Sequence, residues 1–199
     1  MQPILAESDR LVIRAFQSMD LNALHRILDL TFGDGSKIDD PEALAERASW
    51  LQWSILSHKW YPALYQPHYG ERAIVLKSSG ELIGTIGLVP CLDSFEQLPS
   101  LNTGRVPPGY RSAEVGLFWA IDPAHQRRGY ASEAARALID YAFRELKLMR
   151  IIATTEYDNL ASQAVMRKVG MRIERNPLSE PPWLQVVGIL EQQVDGSEA

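Results

Sequence analysis

An α/β protein built on one mixed sheet is the class that the sequence predicts, from three observations. Short apolar runs rich in β-branched residues alternate with amphipathic helical patterns along the chain. One run, Glu114 to Ile121, is apolar on both faces and reads as a central strand. The Ala-rich pattern after it leads into another buried run, Ile151 to Thr155, so these two strands lie parallel across a helical crossover. The order β-α-α-β-β-β-α-β-α-β-β gives a sheet of roughly six or seven strands with helices on both faces.

The elements follow in chain order. Leu11 to Phe16 is the first strand, with β-branched and aromatic content and partial alternation. Asp20 is placed to cap a helix whose Leu21, Leu24, Ile27 and Leu28 form one apolar stripe. Gly33 to Ser36 ends it. Leu44, Ala48, Leu51 and Ile55 mark a second helical region from Pro41 to Lys59, read either as one helix or as two. Trp50, Trp53, Trp60, Tyr61, Tyr65 and Tyr69 cluster around it. Two readings fit that cluster: core packing around irregular backbone, or a wall of an acceptor groove. Ala73–Lys77 and Leu82–Val89 are strands of a hairpin turning at Ser78–Gly80. Gly84 and Gly87 weaken such a strand unless backbone or ligand comes close. Pro90 to Ser112 carries prolines and no periodicity, the mark of a functional or mobile loop. The helix 131–146 buries Ala131, Ala134, Ala135, Leu138 and Ala142. Asn159 caps a short helix that Gly170 closes. Arg172–Glu174 and Leu184–Leu190 are the late strands.

Length and composition set bounds. A chain of 199 residues gives one ample core, so a single domain from about 10 to 191 is expected. A helical insert at about 40–69 and a long loop at about 90–112 interrupt it, and 1–9 and 192–199 are expected to be flexible ends. The hydrophobic fraction of 46% and charged fraction of 23% exclude wholesale disorder. A net charge of −5 argues against a nucleic-acid binder, which needs a basic face. The single cysteine, Cys91, forms no internal disulfide, which fits a reducing, cytoplasmic setting. Nothing approaches membrane-spanning length. No His, Cys, Asp and Glu cluster has metal-ligand spacing, so no metal is expected.

The chemistry concentrates in the loop between the central strand and the Ala-rich helix. Gln126, Gly129 and Ala131 form a Gln-x-x-Gly-x-Ala pattern that carries Arg127 and Arg128. A strand turning through glycine into a helix N-terminus offers free backbone N–H groups and the positive end of the helix dipole. Spacing alone leaves two readings open: an anion cradle for phosphate, or an ordinary turn with solvated arginines.

Glu114-Val-Gly116, Asp122-Pro123, the Gln126–Ala134 loop, Asn159-x-x-Ser162 and Gly170-Met171 together resemble the GNAT superfamily of acetyl-CoA-dependent N-acetyltransferases. Within it the chain is most similar to the branch of ribosomal-protein N-terminal alanine and serine acetyltransferases. Arg10–Arg14 and the aromatic insert near Trp50 fit that branch, and the resemblance covers nearly the whole chain. It implies the GNAT (acyl-CoA N-acyltransferase) fold and acetyl-CoA as cosubstrate. The pyrophosphate would sit on amides of Arg127, Arg128, Gly129, Tyr130 and Ala131 after Gln126, with a hydroxyl from Ser132. The pantetheine arm would pair near Trp119, Ala120 and Ile121, with Gly116 marking a distortion of the strand. Asn159 and Ser162 would lie beside the thioester, and Arg167 would reach the CoA nucleotide.

Acyl transfer to an amine needs a neutral nucleophile, an oxyanion site and a proton for the thiolate. The resemblance makes Glu114 the first candidate base; a strand-end carboxylate paired with an arginine is its alternative. Glu156 and His125 are weaker candidates, His125 fitting a solvated loop residue. The tyrosine acid common in the superfamily corresponds here to Met166, which donates no proton, so Ser162 or water is expected to serve. No activated Cys or Ser nucleophile is placed, which favours direct attack in a ternary complex. The expected acceptor is a protein or peptide N-terminus. A small amine such as an aminoglycoside or polyamine, and a catalytically silent CoA-binding module, are the rival readings. Monomer and homodimer are equally compatible with the sequence.

Overall fold

The computed structural model describes residues 4–105, 107 and 109–193. Two positions of the expected long loop, 106 and 108, the first three residues, and most of the expected flexible tail lie outside the described residues.

Eight strands form one sheet in the order β1-β2-β3-β4-β5-β6-β8-β7. They are β1 (Ile4–Glu7), β2 (Leu11–Arg14), β3 (Gly70–Leu76), β4 (Leu82–Asp93), β5 (Ser112–Ile121), β6 (Arg150–Thr155), β7 (Arg172–Arg175) and β8 (Val186–Glu191). The helices are α1 (Leu21–Phe32), α2 (Pro41–Trp60), α3 (Tyr130–Arg144) and α4 (Leu160–Lys168). The β5–α3–β6 crossover is parallel, with Gly116 opposite Ile152. The pairs β1–β2, β2–β3, β3–β4, β6–β8 and β7–β8 are antiparallel. The mixed α/β sheet is therefore the expected one, with a strand more than expected. The extra strand comes from the N-terminus: Ile4–Glu7 is not a loose end but an edge strand paired with β2. A free strand edge beside Leu11–Arg14 supplies the backbone partners that four residues alone do not advertise.

The chain divides into two compact units. The first takes residues up to Val89 with Phe118–Tyr141; the second takes Pro90–Leu117 with the chain from Ala142 on. In the first, Leu24, Ile27 and Leu28 of α1 and Leu51 of α2 close on Ala73 and Val75 of β3 and Ala120 of β5. Trp50 and Phe118 pack on the same cluster. Helix α2 is a single helix, not two; Asp40 caps it by accepting from the amides of Glu42 and Ala43, and proline opens it. Asp20 does not cap α1 through its side chain. Its two oxygens instead take Arg14 Nη1 at 2.7 Å and Nη2 at 2.8 Å, because a bidentate charged pair outweighs one cap bond.

Close approach explains the strand glycines. A Cβ at Gly84 would run into the Ala120 carbonyl oxygen, and one at Gly87 would lie 2.5 Å from the Gly70 oxygen. The expectation of near backbone is met at both. After α2 the chain is irregular, and Arg72 ties it down. This guanidinium, 2% exposed, donates to the carbonyls of Glu71, His68 and Tyr69. Burial lowers its pKa to about 10, so it remains charged at neutral pH.

In the second unit, Phe95, Leu98 and Leu101 are buried against Ile152, Leu184, Val187 and Ile189. These three residues lie inside the stretch expected to be structureless. β4 runs on through Pro90 to Asp93, and a short 3-10 turn, Phe95–Gln97, follows. Aperiodic sequence concealed an apolar plug, since three anchors in a turn have neither strand nor helix spacing.

Candidate active site

In the first unit, β5 delivers Trp119, Ala120 and Ile121 directly into the glycine loop. Ala120 and Ile121 are buried and Trp119 half-buried. The amide of Asp122 donates to the Ile83 carbonyl at 2.9 Å, which fixes the strand end on β4. Gln126 then folds its side chain back, Nε2 donating to the Ile121 carbonyl at 3.0 Å. That bond braces the loop against the end of β5.

Arg127 has φ +61° and Gly129 has φ +82°. Left-handed residues on either side of Arg128 are the kind of backbone from which an anion nest can be built. Among the described residues, no hydrogen bond outside regular elements engages the amides of Arg127 to Ser132. The space over the glycine is open: a Cβ there would meet only Arg10 Nη2, at 3.6 Å. Arg127 and Arg128 are exposed. Ser132 is buried and donates its hydroxyl to the Gly129 carbonyl at 3.0 Å, so its proton is spent shaping the loop.

A partner of this loop escaped sequence reading. Glu133, in the first turn of α3, accepts from Ser8 Oγ at 2.7 Å and from Arg10 Nε at 2.7 Å. Arg10 also donates to the Arg128 carbonyl at 3.2 Å and lies 4.4 Å over the Tyr130 ring. Burial pushes the Glu133 pKa up, but Ser8 and Arg10 outweigh it and hold the carboxyl below its ordinary value. The negative charge beside the anion nest is thus neutralised. The sign that the sequence offered was Arg10 itself, an arginine opening β2 without an obvious partner.

Asp122 and His125 frame the other side of the loop. Asp122, 1% exposed, accepts from Arg26 and from the Ala124 amide. Burial raises its pKa, yet Arg26 and that amide prevail and keep it low. His125 is not a freely solvated loop residue: its Nε2 lies 3.6 Å from Glu81 and its Nδ1 3.9 Å from Asp122.

The same unit contains a cavity of about 450 Å³ at the ends of α1 and α2. Asp29, Asp34, Glu46, Lys37, Arg47 and Trp50 are among the residues that line it, with His25 and Phe32. Trp50 also packs edge-on against Phe16 at 5.8 Å, and Phe32 stacks on Phe118 at 5.8 Å. The aromatic insert therefore divides. Trp50 belongs to core and cavity at once, while Trp53, Trp60 and Tyr65 are exposed.

In the second unit, the strand-end carboxylate has the arginine partner. Arg150 Nε donates to Glu114 Oε2 at 3.0 Å, and Arg150 Nη2 bonds to Oε1. Both oxygens of Glu114 are thus engaged by one guanidinium, the arrangement expected of a strand-end carboxylate paired with an arginine. Asn159 caps α4 as expected, Oδ1 accepting from the Ser162 amide at 3.0 Å. Arg167 is exposed and reaches Gln163 Oε1 at 3.4 Å. Glu156 is exposed at the end of β6. Met166 is fully buried, its Sδ 3.0 Å from where a Cβ of Gly188 would sit, so a core methionine fills the position that corresponds to the tyrosine. The Cys91 thiol is pushed up by burial and is no activated nucleophile.

Fold and loop define the class: an α/β protein whose central strand feeds a glycine turn at a helix N-terminus. The chain belongs to the acetyltransferase (GNAT) domain family, which it matches over residues 10–172. It is 33% identical to the N-acetyltransferase YoaA of Bacillus subtilis (strain 168), over 87% of this chain and 85% of that protein. A stretch of 66 residues is 48% identical to the N-acetyltransferase YnaD of the same organism, spanning 33% of this chain and 38% of YnaD. RimL, a ribosomal L7/L12 alpha-N-protein acetyltransferase, shares the fold with a TM-score of 0.62 at 19% identity, over 98% of this chain and 96% of RimL. Among the described residues no helix is long and apolar enough to cross a membrane, and no group of three metal-ligating side chains comes together.

Proposed function

We propose that this acetyltransferase moves the acetyl group of acetyl-CoA to a primary amine by direct attack, and that the amine is the N-terminus of a protein or peptide. The observation that carries the donor assignment is the turn at Arg127–Gly129: left-handed backbone, amides with no bond outside regular elements among the described residues, open space over the glycine, and a neighbouring carboxylate already neutralised by Arg10. A pyrophosphate fits such a site, since backbone N–H groups and a helix N-terminus both favour its charge. Arg127 and Arg128 add positive charge, and the backbone of Trp119–Ile121 receives the pantetheine arm. Asn159 and Ser162 serve the thioester, with Arg167 toward the nucleotide. The Ser162 hydroxyl donates a proton to the departing thiolate.

The peptide acceptor is supported by the cavity at the ends of α1 and α2. It carries carboxylates for an ammonium, Lys37 and Arg47 for backbone carbonyls or an acidic residue, and Trp50 for an apolar side chain. A site for a polyamine alone would have no use for two cations. The test is calorimetry with acetyl-CoA, then thiol release across peptides of differing first residue, an aminoglycoside and spermidine. Turnover on peptides above small amines is expected. Turnover confined to small amines would replace the acceptor, and binding without any turnover would mark a silent module.

A further inference from the structure

With Glu114 held by Arg150, the reaction needs another group to free the amine. The first unit contains several carboxylates removed from solvent, and most of them are occupied by arginine: Asp20 by Arg14, Asp122 by Arg26, Glu133 by Arg10. Glu71 is different. It sits on β3 opposite Gly87, two residues before Ala73 on the same face, and therefore on the side that packs against α1 and α2. Its Oε2 accepts the Thr85 hydroxyl at 2.9 Å, and among the described residues no cation comes within ion-pair distance of it. The charged group that faces it is Arg47 of α2, which also lines the cavity and has a buried Nε without a partner. Arg14, on the adjoining strand, is turned to Asp20.

We propose that Glu71 is the base that takes the acceptor's ammonium proton, aimed by Thr85 and adjoining the cavity through Arg47; the assignment rests on the acetyl-transfer reading above. In the step, R–NH3+ gives one proton to the Glu71 carboxylate. The freed lone pair forms the C–N bond at the thioester carbonyl, and the C–S bond breaks. The second proton leaves the acylated nitrogen and replaces the one that the hydroxyl donor gives to the thiolate, and Glu71 later returns its own to solvent. The environment suits the task. Burial raises the Glu71 pKa, while Thr85 and Arg47 moderate the rise, so the carboxylate is a stronger base than an exposed one. The nearness of Phe118 to the same cluster brings β5, the strand assigned to pantetheine, onto this face.

The experiment uses Glu71→Gln, which keeps shape and the Thr85 bond, in the full chain. With an alanine- or serine-initiated tetrapeptide, kcat/KM should fall about 100-fold or more and lose the acid limb of its pH profile, while acetyl-CoA affinity stays unchanged. Hydroxylamine, already neutral near pH 7, should be acetylated almost as well by the variant as by the parent. Thr85→Val should move the acid limb to higher pH, because a bond favouring the ionised form is lost; Glu71→Asp should restore part of the activity. Independently of any acceptor, carboxyl carbon NMR should place the Glu71 midpoint above an ordinary glutamate. A midpoint at or below the ordinary value, or peptide turnover undiminished in the glutamine variant, would overturn the assignment alone. Absence of acetyl-CoA binding in the parent protein would overturn the acetyl-transfer reading beneath it.

Discussion

The glycine loop and the cavity at the ends of α1 and α2 belong to the same compact unit, yet they are made in opposite ways. The loop is one contiguous run from Gln126 to Ser132, shaped by its own backbone: two left-handed residues, a Gln126 brace and a Ser132 bond back to Gly129. The cavity takes residues from α1, from the connection after it and from α2. Neither helix shows by itself that Asp29 and Glu46 will border the same space. A loop of this kind tolerates exchange around it and fails when its own residues change. An assembled cavity retunes by single side chains.

That contrast can be broken experimentally, beginning with the loop. Gly129→Glu places a strained, negative residue where φ is +82°. Acetyl-CoA affinity should fall by roughly 100-fold or more in calorimetry, with the circular dichroism spectrum retained. Unchanged affinity would dissolve the loop's assignment. On the cavity side, Asp34→Asn with Glu46→Gln should raise the acceptor KM about 10-fold while leaving acetyl-CoA affinity alone, if an ammonium is read there. Equal loss of both affinities would mean that the two regions are not separable.

Smaller effects sharpen the comparison. Arg10→Ala exposes the Glu133 charge beside the nest and should weaken acetyl-CoA binding by about 3- to 10-fold, and adding Glu133→Gln should recover most of it. No recovery in that cycle would reduce the Arg10 clamp to packing. The least change is expected from pH. His58 is held down to about 4, first by burial and then by Arg72 and His68. The unfolded chain therefore binds this proton before the folded one does. Stability contributed by neutral His58 is fully present above about pH 6.5 and drains away as pH falls toward 4. Its partial exposure screens the effect, so the expected loss is on the order of 1 kcal/mol. Thermal melts of the parent and of His58→Gln should converge as pH drops across that window; parallel curves would deny it.

The reach of sequence reading followed the same division. Periodicity and turn chemistry located α1, α3, α4 and the middle strands, because those signals lie within ten or so neighbours. The glycine turn was legible for the same reason, and Asn159 caps α4 as expected. Pro90–Ser112 misled, since Phe95, Leu98 and Leu101 become core only once Ile152 and Val187 are brought beneath them. Asp20 misled as well: the cap signal was sound, but Arg14 across the strand end was the stronger partner.

By itself, the sequence determined the α/β class, the parallel crossover, the glycine turn between strand and helix, and the family. All of these are encoded in short runs whose conformational preferences are local. Tertiary structure alone decided which carboxylates are spent and which remain available. Glu114 and Glu71 are both strand glutamates, and the partner that each side chain meets comes from a distant part of the chain. Arg150 lies 36 positions from Glu114 and takes both its oxygens, whereas Glu71 meets a threonine 14 positions away and no guanidinium within ion-pair distance among the described residues. Proton affinity depends on what folding brings near a group and how much water it removes, and neither is written beside the residue in the chain.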